Sequence, residues 1–465
     1  MPPTRLSAQD ASFIYGEDQR IPLHVGCLGF MEAGPLRDNS GAVDITRIRE
    51  AISQRLHLFQ LFRKKIAHVP FDQGRPVWVD DPNFAIEKHV HLTAVPRPGS
   101  RRQVLDLMGR LQSGILDRGK PLWEIYFVDG LADDDTLAVI SRVHHAMIDG
   151  TTGVEVGMLL FDLSAEGREI EAPAWKPAAE DSPPGLLFDA LYDRAGDAVR
   201  RVGKVVDAVT DIRKPIDHAV KFARAVETFT SEIDSLPFNA PVSSRRAFAI
   251  ASLPLDVVLE TKRALGATVN EVGLAAVTGA LRRYCGENGI DADELGRITT
   301  ICPVDNRKPG DTRPGCDVSS MMVELPVAEP DLRRRVDRII ETSSRQKEQN
   351  IAEGANMWAR VTSLLPATLL RASSWLQFRG LMGNSNLLVS NVRGPSEPFY
   401  CFGAKVHAFH PYFGVQDGLG LNVVLFSYGG DLLIGIAADP HLVPALDSFA
   451  EGIVKSFGEL ATAIV

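Results

Sequence analysis

The residues best suited to chemistry are two adjacent histidines in the heptapeptide HHAMIDG, residues 144–150. An imidazole titrates near pH ~6.5, so His145 could accept a proton from an alcohol while the alcohol oxygen attacks a carbonyl carbon. Asp149 follows four residues later, and Gly150 permits a tight turn after it. We therefore expect His145 to be a general base. Asp149 would hold the loop, directly or through an arginine, without taking the proton.

The segments around the heptapeptide predict that it lies where a strand ends. The β-branched, apolar run Leu137–Val143 indicates a buried strand, and Thr151–Leu163 indicates a helix capped by Thr151 or Thr152. Successive side chains of a strand point to opposite faces, so only one of the two histidines would line a cavity. We assign that position to His145 and expect His144 to contribute through local packing.

Other interpretations of the histidine pair remain open. The pair could be structural, or it could bind a metal together with Asp149, although a metal site needs further ligands. Two other close pairs, His89 with His91 and His407 with His410, lack a nearby third ligand, and no HExxH motif is present. No serine lies in a GxSxG elbow. The sequence therefore favours neither a metal site nor a serine nucleophile.

Composition excludes several classes of protein. The chain has 465 residues, of which 45% are hydrophobic and 23% charged, as expected for a folded protein of about two large domains. A net charge of −9 argues against nucleic acid as a partner. The five scattered cysteines form no CxxC pair, which favours a reducing cytoplasm. No apolar stretch reaches the ~20 residues of a membrane span, so any membrane contact would be peripheral.

The chain divides at a proline-rich connector. Residues Ala172–Gly185 contain four prolines, and Leu186–Ile233 has apolar residues at helical spacing. We therefore predict an N-terminal domain at 1–171, a connector at 172–240 and a C-terminal domain at 241–465, each domain of mixed α/β type. In the last domain we predict strands at Phe248–Leu255, Ile298–Pro303, Val318–Leu325, Asn386–Val392, Ala404–Phe409, Leu421–Tyr428 and Leu432–Ala438, and helices at Asp256–Leu265, Glu271–Tyr284, Asp331–Ile351 and Asp447–Ile464.

HHAMIDG resembles the HHxxxDG signature of the coenzyme A-dependent acyltransferase superfamily, which includes chloramphenicol acetyltransferases, plant BAHD acyltransferases and peptide synthetase condensation domains. Further segments over most of the chain are similar to bacterial wax ester synthase/diacylglycerol acyltransferases. These segments are LSAQDASFIYGED (6–18), PLHVG (22–26), PLWEIYFVDGL (121–131), TVNEV (268–272), SNVRGPSEPFY (390–400) and DGLGLNVVLFSYGG (417–430).

The resemblance implies two chloramphenicol-acetyltransferase-like α/β domains with a central tunnel and His145 near its middle. A long-chain acyl-CoA would enter from one side as a substrate, with no separate cofactor. Diacylglycerol or a fatty alcohol would enter from the other side, giving triacylglycerol or wax esters. The acyl group would pass directly to the acceptor without a covalent acyl-enzyme.

The resemblance also implies roles for single residues. Arg63 would pair with Asp149, although it could instead be a surface base. Asn270 would face the substrate, or it could cap a helix, and Glu271 stands where the family usually has aspartate. Trp123 would line the acyl channel or belong to the core. A further departure is Cys316, where many relatives have asparagine.

Alternatives remain for the activity and for membrane contact. The chain could be a condensation-type enzyme that uses a carrier-protein thioester, although no carrier module is evident, or a non-catalytic lipid-binding homologue. The segment Met357–Leu381 is amphipathic and basic, as in an interfacial helix, but it could equally be a core helix broken at Pro366. We expect a cytoplasmic protein with peripheral contact to the inner membrane face or to lipid droplets.

Overall fold

A computed structural model describes residues 4–147, 157, 159–168, 170–178, 182–192, 232–305, 318–348, 365–380 and 385–464. These residues form two six-stranded sheets, a three-stranded sheet and the helices that cover them. The predicted α/β class is confirmed.

The N-terminal sheet has the strand order β12-β13-β2-β7-β6-β5. Its pairs are antiparallel except for β5 with β6, which is parallel. Strand β7 lies inside the sheet and is buried along almost its whole length, which explains its uninterrupted apolar sequence. The strands are β2 (His24–Glu32), β5 (Val90–Ala94), β6 (Trp123–Asp129), β7 (Thr136–His144), β12 (Tyr400–Cys401) and β13 (Ala404–Phe413).

The C-terminal sheet has the strand order β10-β9-β11-β14-β15-β8. Strands β9, β11 and β14 run parallel, and antiparallel strands complete the sheet on both sides. Its strands are β8 (Ala247–Pro254), β9 (Thr299–Asp305), β10 (Val318–Glu324), β11 (Leu387–Arg393), β14 (Leu421–Tyr428) and β15 (Asp431–Ala438). The small sheet contains β1 (Thr4–Arg5), β3 (Lys64–Ala67) and β4 (Val77–Asp80).

The helices begin at side-chain caps where the sequence supplies them. Asp44, Ser100 and Thr268 each accept a hydrogen bond from a backbone N–H in the first turn of their helices. The helices are α1 (Ala8–Gly16), α2 (Ile45–Arg55), α3 (Arg101–Gln112), α4 (Leu255–Leu265), α5 (Val269–Glu287), α6 (Leu332–Glu348), α7 (Ala367–Phe378) and α8 (Leu446–Ile464). Residues 183–192 are also helical.

Strands β12 and β13 lie late in the chain but extend the N-terminal sheet. β13 pairs with β2 from Val406 opposite Met31 to Phe413 opposite Val25. The sequence pattern predicts a strand only as far as Phe409 and does not indicate this exchange. The C-terminal part of the chain thus supplies two strands to the first sheet. The domain boundaries predicted at residues 172 and 240 stay a prediction.

Most other predicted elements of the C-terminal half are present within one to three residues of their expected bounds. A helix is predicted over Leu186–Ile233 within the connector, but residues 193–231 lie outside the described part of the chain. Cys316 also lies outside it. The other four cysteines are free and buried.

Among the described residues, no single helix is both long and apolar enough to cross a membrane. Helices α4 and α5 meet the criteria only when taken as a pair, and that pair is bent by 99°.

Close contact between the two large sheets depends on Gly435 of β15. A β-carbon at this position would overlap the backbone carbonyl of Pro411 in β13. We expect Gly435→Ala to lower the free energy of unfolding by about 1–3 kcal/mol, because the two strands would have to separate. Chemical denaturation measures this change.

Gly458→Ala is the matched control, because a β-carbon at Gly458 in helix α8 would have open space around it. That variant should be as stable as the native protein or up to about 1 kcal/mol more stable, since alanine favours helix. Equal stability of the two variants would contradict the packing argument.

Candidate active site

The two histidines lie at the end of β7, held by backbone hydrogen bonds. His144 is the last residue of β7 and lies opposite His24 of β2. His145 begins a 3-10 turn that ends at Met147, and its N–H donates to the carbonyl of Leu23 at 2.9 Å. The N–H of His144 donates to the carbonyl of Leu122 at 2.9 Å. The turn therefore starts from a rigid sheet.

The ring of His145 lies between aromatic side chains. It stacks on Phe13 with ring centres 3.9 Å apart and lies 5.9 Å from the ring centre of Phe413. Its Nδ1 is buried and has no hydrogen-bond partner among the described residues, while the residue as a whole keeps some exposed surface. Burial lowers the pKa of His145 to about 4. The ring is therefore neutral near pH 7 and able to accept a proton.

His144 differs from His145 in having no exposed surface. Its Nδ1 accepts a hydrogen bond from the N–H of Ala146 at 3.0 Å, and its Nε2 lies 3.4 Å from Oε1 of Glu17. Neutral His144 therefore carries its proton on Nε2, facing the carboxylate. This placement agrees with a supporting role for His144, but the choice of His145 as the base stays a prediction.

Glu17 is the residue that the sequence analysis missed. Its Oε1 accepts from the N–H of Leu23 at 3.1 Å, and its Oε2 accepts from Arg118 at 3.0 Å. Burial alone would raise the pKa of this carboxyl, but contacts with His144 and His24 hold it well below its usual range. The only sequence signal was its position inside the LSAQDASFIYGED segment, which carried no role by itself.

Asp149 and Gly150 lie outside the described residues, so the expected pairing of Arg63 with Asp149 stays a prediction. Arg63 ends a 3-10 turn and donates from Nη2 to the carbonyl of Ser53 at 3.2 Å. Its guanidinium lies 5.0 Å from the ring centre of Trp175 and 5.9 Å from that of Phe84. Burial lowers the pKa of Arg63. Arg63 is thus partly enclosed by aromatic rings and is not a freely solvated surface base.

Asn270 does not cap helix α5, which corrects one alternative from the sequence analysis. Thr268 is the cap: its Oγ1 accepts from the N–H of Glu271 at 3.3 Å, and the Glu271 carboxylate accepts from the N–H of Thr268 at 2.8 Å. The longer glutamate side chain thus closes a capping box. Lys347 lies 3.7 Å from the same carboxylate. Asn270 hydrogen-bonds to the buried thiol of Cys302, and its proposed contact with substrate stays a prediction.

Trp123 lies in the core. It has no exposed surface, its Nε1 donates to the carbonyl of Phe62 at 2.9 Å, and its ring stacks on His89 at 4.5 Å. These contacts favour the core alternative over a position on the channel wall.

Within the part of the chain that the structure describes, no three His, Cys, Asp or Glu side chains are grouped so that they could hold a metal ion. His89 and His91 each have a neighbouring aromatic ring at stacking distance, Trp123 and Tyr126 respectively. Both histidines are therefore accounted for by packing.

Buried histidines make stability depend on pH. Burial lowers the pKa to about 4 at His24, His89, His145 and His410. Between pH ~6.5 and that value the unfolded chain binds protons that the folded chain does not, so the free energy of unfolding falls as pH falls. We expect the thermal midpoint to drop steadily from pH 7 to pH 5, as measured by circular dichroism.

His145→Gln removes one of these titrating groups. This variant should show a shallower pH dependence than the native protein. An identical slope in the two proteins would contradict a buried, neutral His145.

Comparisons with known proteins agree over the whole chain. The model of the wax ester synthase/diacylglycerol acyltransferase catalytic domain matches residues 6–273, and the model of the WS/DGAT C-terminal domain matches residues 315–461. A putative diacylglycerol O-acyltransferase of Mycobacterium tuberculosis is 30% identical over 98% of this chain and 90% of its own length. Another protein of that organism, the probable diacylglycerol O-acyltransferase tgs1, is 28% identical over 98% of this chain and 95% of its own.

Solved structures agree on the two-domain fold. The wax ester synthase/diacylglycerol acyltransferase from Marinobacter aquaeolei VT8 aligns with a TM-score of 0.70 at 21% identity, over 99% of both chains. The first condensation domain of the CDA synthetase aligns with a TM-score of 0.59 at 18% identity, over 99% of this chain and 96% of its own. The sequence matches, supported by this fold, show that the chain belongs to the wax ester synthase/diacylglycerol acyltransferase family.

Proposed function

We propose that this acyltransferase moves a long-chain acyl group from coenzyme A to the hydroxyl of diacylglycerol, of a fatty alcohol, or of both. The observation that carries the proposal is the placement of His145, a residue with some exposed surface, between two aromatic rings on a turn anchored to β7 and β2. The names of the mycobacterial relatives favour diacylglycerol as an acceptor.

The reaction follows from the position of this ring. His145 takes the proton of the acceptor hydroxyl as its oxygen bonds to the thioester carbonyl carbon. The tetrahedral oxyanion then collapses, the carbon–sulfur bond breaks, and the imidazolium returns its proton to the coenzyme A sulfur. No bond forms between the acyl group and the protein, and no metal ion takes part.

Aromatic packing around His145 suits apolar substrates. Phe13 and Phe413 contact the ring, so a substrate chain lying beside it would meet apolar walls. Each methylene group that leaves water for such walls contributes about 0.8 kcal/mol. The imidazole is a weak base there, but the oxyanion that develops beside it favours the imidazolium in the transition state.

We propose that Asp149 and Gly150 shape the loop after His145, with Arg63 as the partner of Asp149. Arg63 already lies on a fixed turn beside Trp175, so a carboxylate at this point would meet a pre-oriented guanidinium.

Replacing His145 tests the assignment of the base. We expect His145→Ala to lower kcat by about 10²–10⁴-fold, the usual contribution of a positioned base, and His144→Ala to lower it less. The assay measures thiol release from palmitoyl-CoA with either dipalmitoylglycerol or hexadecanol, in the presence of EDTA.

His407→Ala is the control, because His407 is exposed on β13. This variant should retain native turnover. A larger loss in His144→Ala than in His145→Ala would contradict the choice of base. Native protein that releases no thiol with either acceptor would contradict the proposed function and leave the carrier-protein and lipid-binding alternatives.

We also propose that helix α7 contacts a lipid surface. Pro366 stands at its N-terminus, Leu370 and Phe378 are buried, and contacts with α1 hold the helix in place. The other face exposes Leu369 (56%), Trp375 (50%) and Leu376 (38%). The described part of the predicted segment Met357–Leu381 thus has one packed face and one exposed apolar face, so it combines both alternatives of the sequence analysis.

The turn at Pro70–Asp72 carries a further exposed aromatic side chain. Asp72 binds Arg371 of α7 at 2.9 Å, which places the turn beside the helix. Phe71 is 81% exposed and has a φ of 58°, a conformation that costs a non-glycine residue energy. An exposed aromatic side chain in this conformation is consistent with contact with lipid.

We expect Trp375→Asp to weaken binding to vesicles of phosphatidylcholine and phosphatidylglycerol, because a charge replaces an apolar contact. Gln377→Asp, which adds the same charge at an exposed polar position of α7, is the control and should bind as the native protein does. Co-sedimentation measures binding, and circular dichroism checks folding. Equal binding of all three proteins would contradict the lipid contact.

A further inference from the structure

The C-terminal end of helix α1 meets the catalytic turn at two points. Phe13 stacks on the ring of His145, and the carboxylate of Glu17 lies beneath His144. The N–H of Glu17 donates to the carbonyl of Phe13, so both side chains are attached to one short, fixed segment of backbone. A displacement of this segment would move both contacts together.

The carboxylate of Glu17 is surrounded by hydrogen-bond donors. The N–H of Leu23 donates to Oε1, Arg118 donates to Oε2, and Nε2 of His144 lies 3.4 Å from Oε1. Nε2 of His24 lies at the same distance from Oε1, but this nitrogen accepts the N–H of Leu116 at 3.3 Å. Glu17 is 8% exposed, so water cannot readily replace these partners.

Two paths lead from this carboxylate to His145. In the first, Glu17 holds the N–H of Leu23, whose carbonyl accepts the N–H of His145. In the second, Glu17 favours the tautomer of His144 with its proton on Nε2, which leaves Nδ1 free to accept the N–H of Ala146. The backbone N–H groups of His145 and Ala146 are therefore both held in place through one carboxylate.

We propose that Glu17 is a positioning residue for acyl transfer, which selects the tautomer of His144 and fixes the turn that carries His145. This inference rests on the proposed function for its kinetic consequence. Glu17 does not touch the reacting atoms, and a buried ion pair with Arg118 that only stabilises the fold is the alternative to be tested.

Two substitutions separate these roles. In native protein one carboxylate oxygen of Glu17 faces Leu23 and His144, and the other accepts a hydrogen bond from Arg118. Glu17→Gln leaves only one oxygen that can accept a hydrogen bond. Glu17→Leu removes both acceptor oxygens and puts an apolar side chain of similar size in their place. We expect kcat to fall about 10-fold in Glu17→Gln and further in Glu17→Leu, with KM for palmitoyl-CoA changing less than about 2-fold.

Glu124→Gln is the matched control. Glu124 is a buried carboxylate on β6 whose partners, Lys120, Tyr126 and Arg142, are also donors. Among the described residues, none of 144–147 is a hydrogen-bond partner of this carboxylate. Its loss should lower stability as in Glu17→Gln but leave kcat per folded molecule within about 2-fold of native.

The tautomer is read directly by NMR of ¹⁵N-histidine-labelled protein, with His144→Gln used to assign the signal. We expect the Nε2–H form of His144 in native protein and a mixture of tautomers in both Glu17 variants. An Nδ1–H form in native protein, or an unchanged tautomer together with native kcat in Glu17→Gln, would overturn the proposal. If native protein releases no thiol, the proposed function fails, while the NMR result still decides whether Glu17 sets the tautomer.

Discussion

The antiparallel pairing of β2 with β7 determines where the two histidines leave the sheet. His24 lies opposite His144 at the end of this ladder, and the Leu23 carbonyl takes the next N–H, that of His145. A shift of one residue in this register would exchange the faces of the two histidines. The difference between residue 144, which has no exposed surface, and residue 145, which keeps some, therefore depends on the ladder hydrogen bonds.

Burial has opposite electrostatic consequences at His145 and at Glu17. At His145 the low-polarity surroundings of Phe13 and Phe413 disfavour the cation, so the ring stays neutral. At Glu17 the same burial would disfavour the anion, but hydrogen bonds from Leu23 and Arg118, together with the contacts with His144 and His24, compensate for the lost water. The outcome is a neutral imidazole at His145 and an ionised carboxylate at Glu17.

Strand β13 connects the two halves of the chain to one site. It pairs with β2 in the N-terminal sheet and packs against β14 and β15 of the C-terminal sheet. Its last residue, Phe413, contacts the ring of His145. A change in the packing of the two sheets would therefore reach the candidate base through an aromatic contact.

Short stretches of sequence are enough to predict the buried strand before His144, the α/β class, and β14 at Leu421–Tyr428, because apolar periodicity and β-branched residues act locally. Helix α5 begins at Val269 and not at the predicted Glu271, since its cap is Thr268 and not Asn270. The extension of β13 to Phe413, and the contacts of Phe13 and Glu17 with the histidine turn, are seen only in the folded chain. These contacts join residues far apart in the chain, and no local pattern encodes which distant segments will pack together.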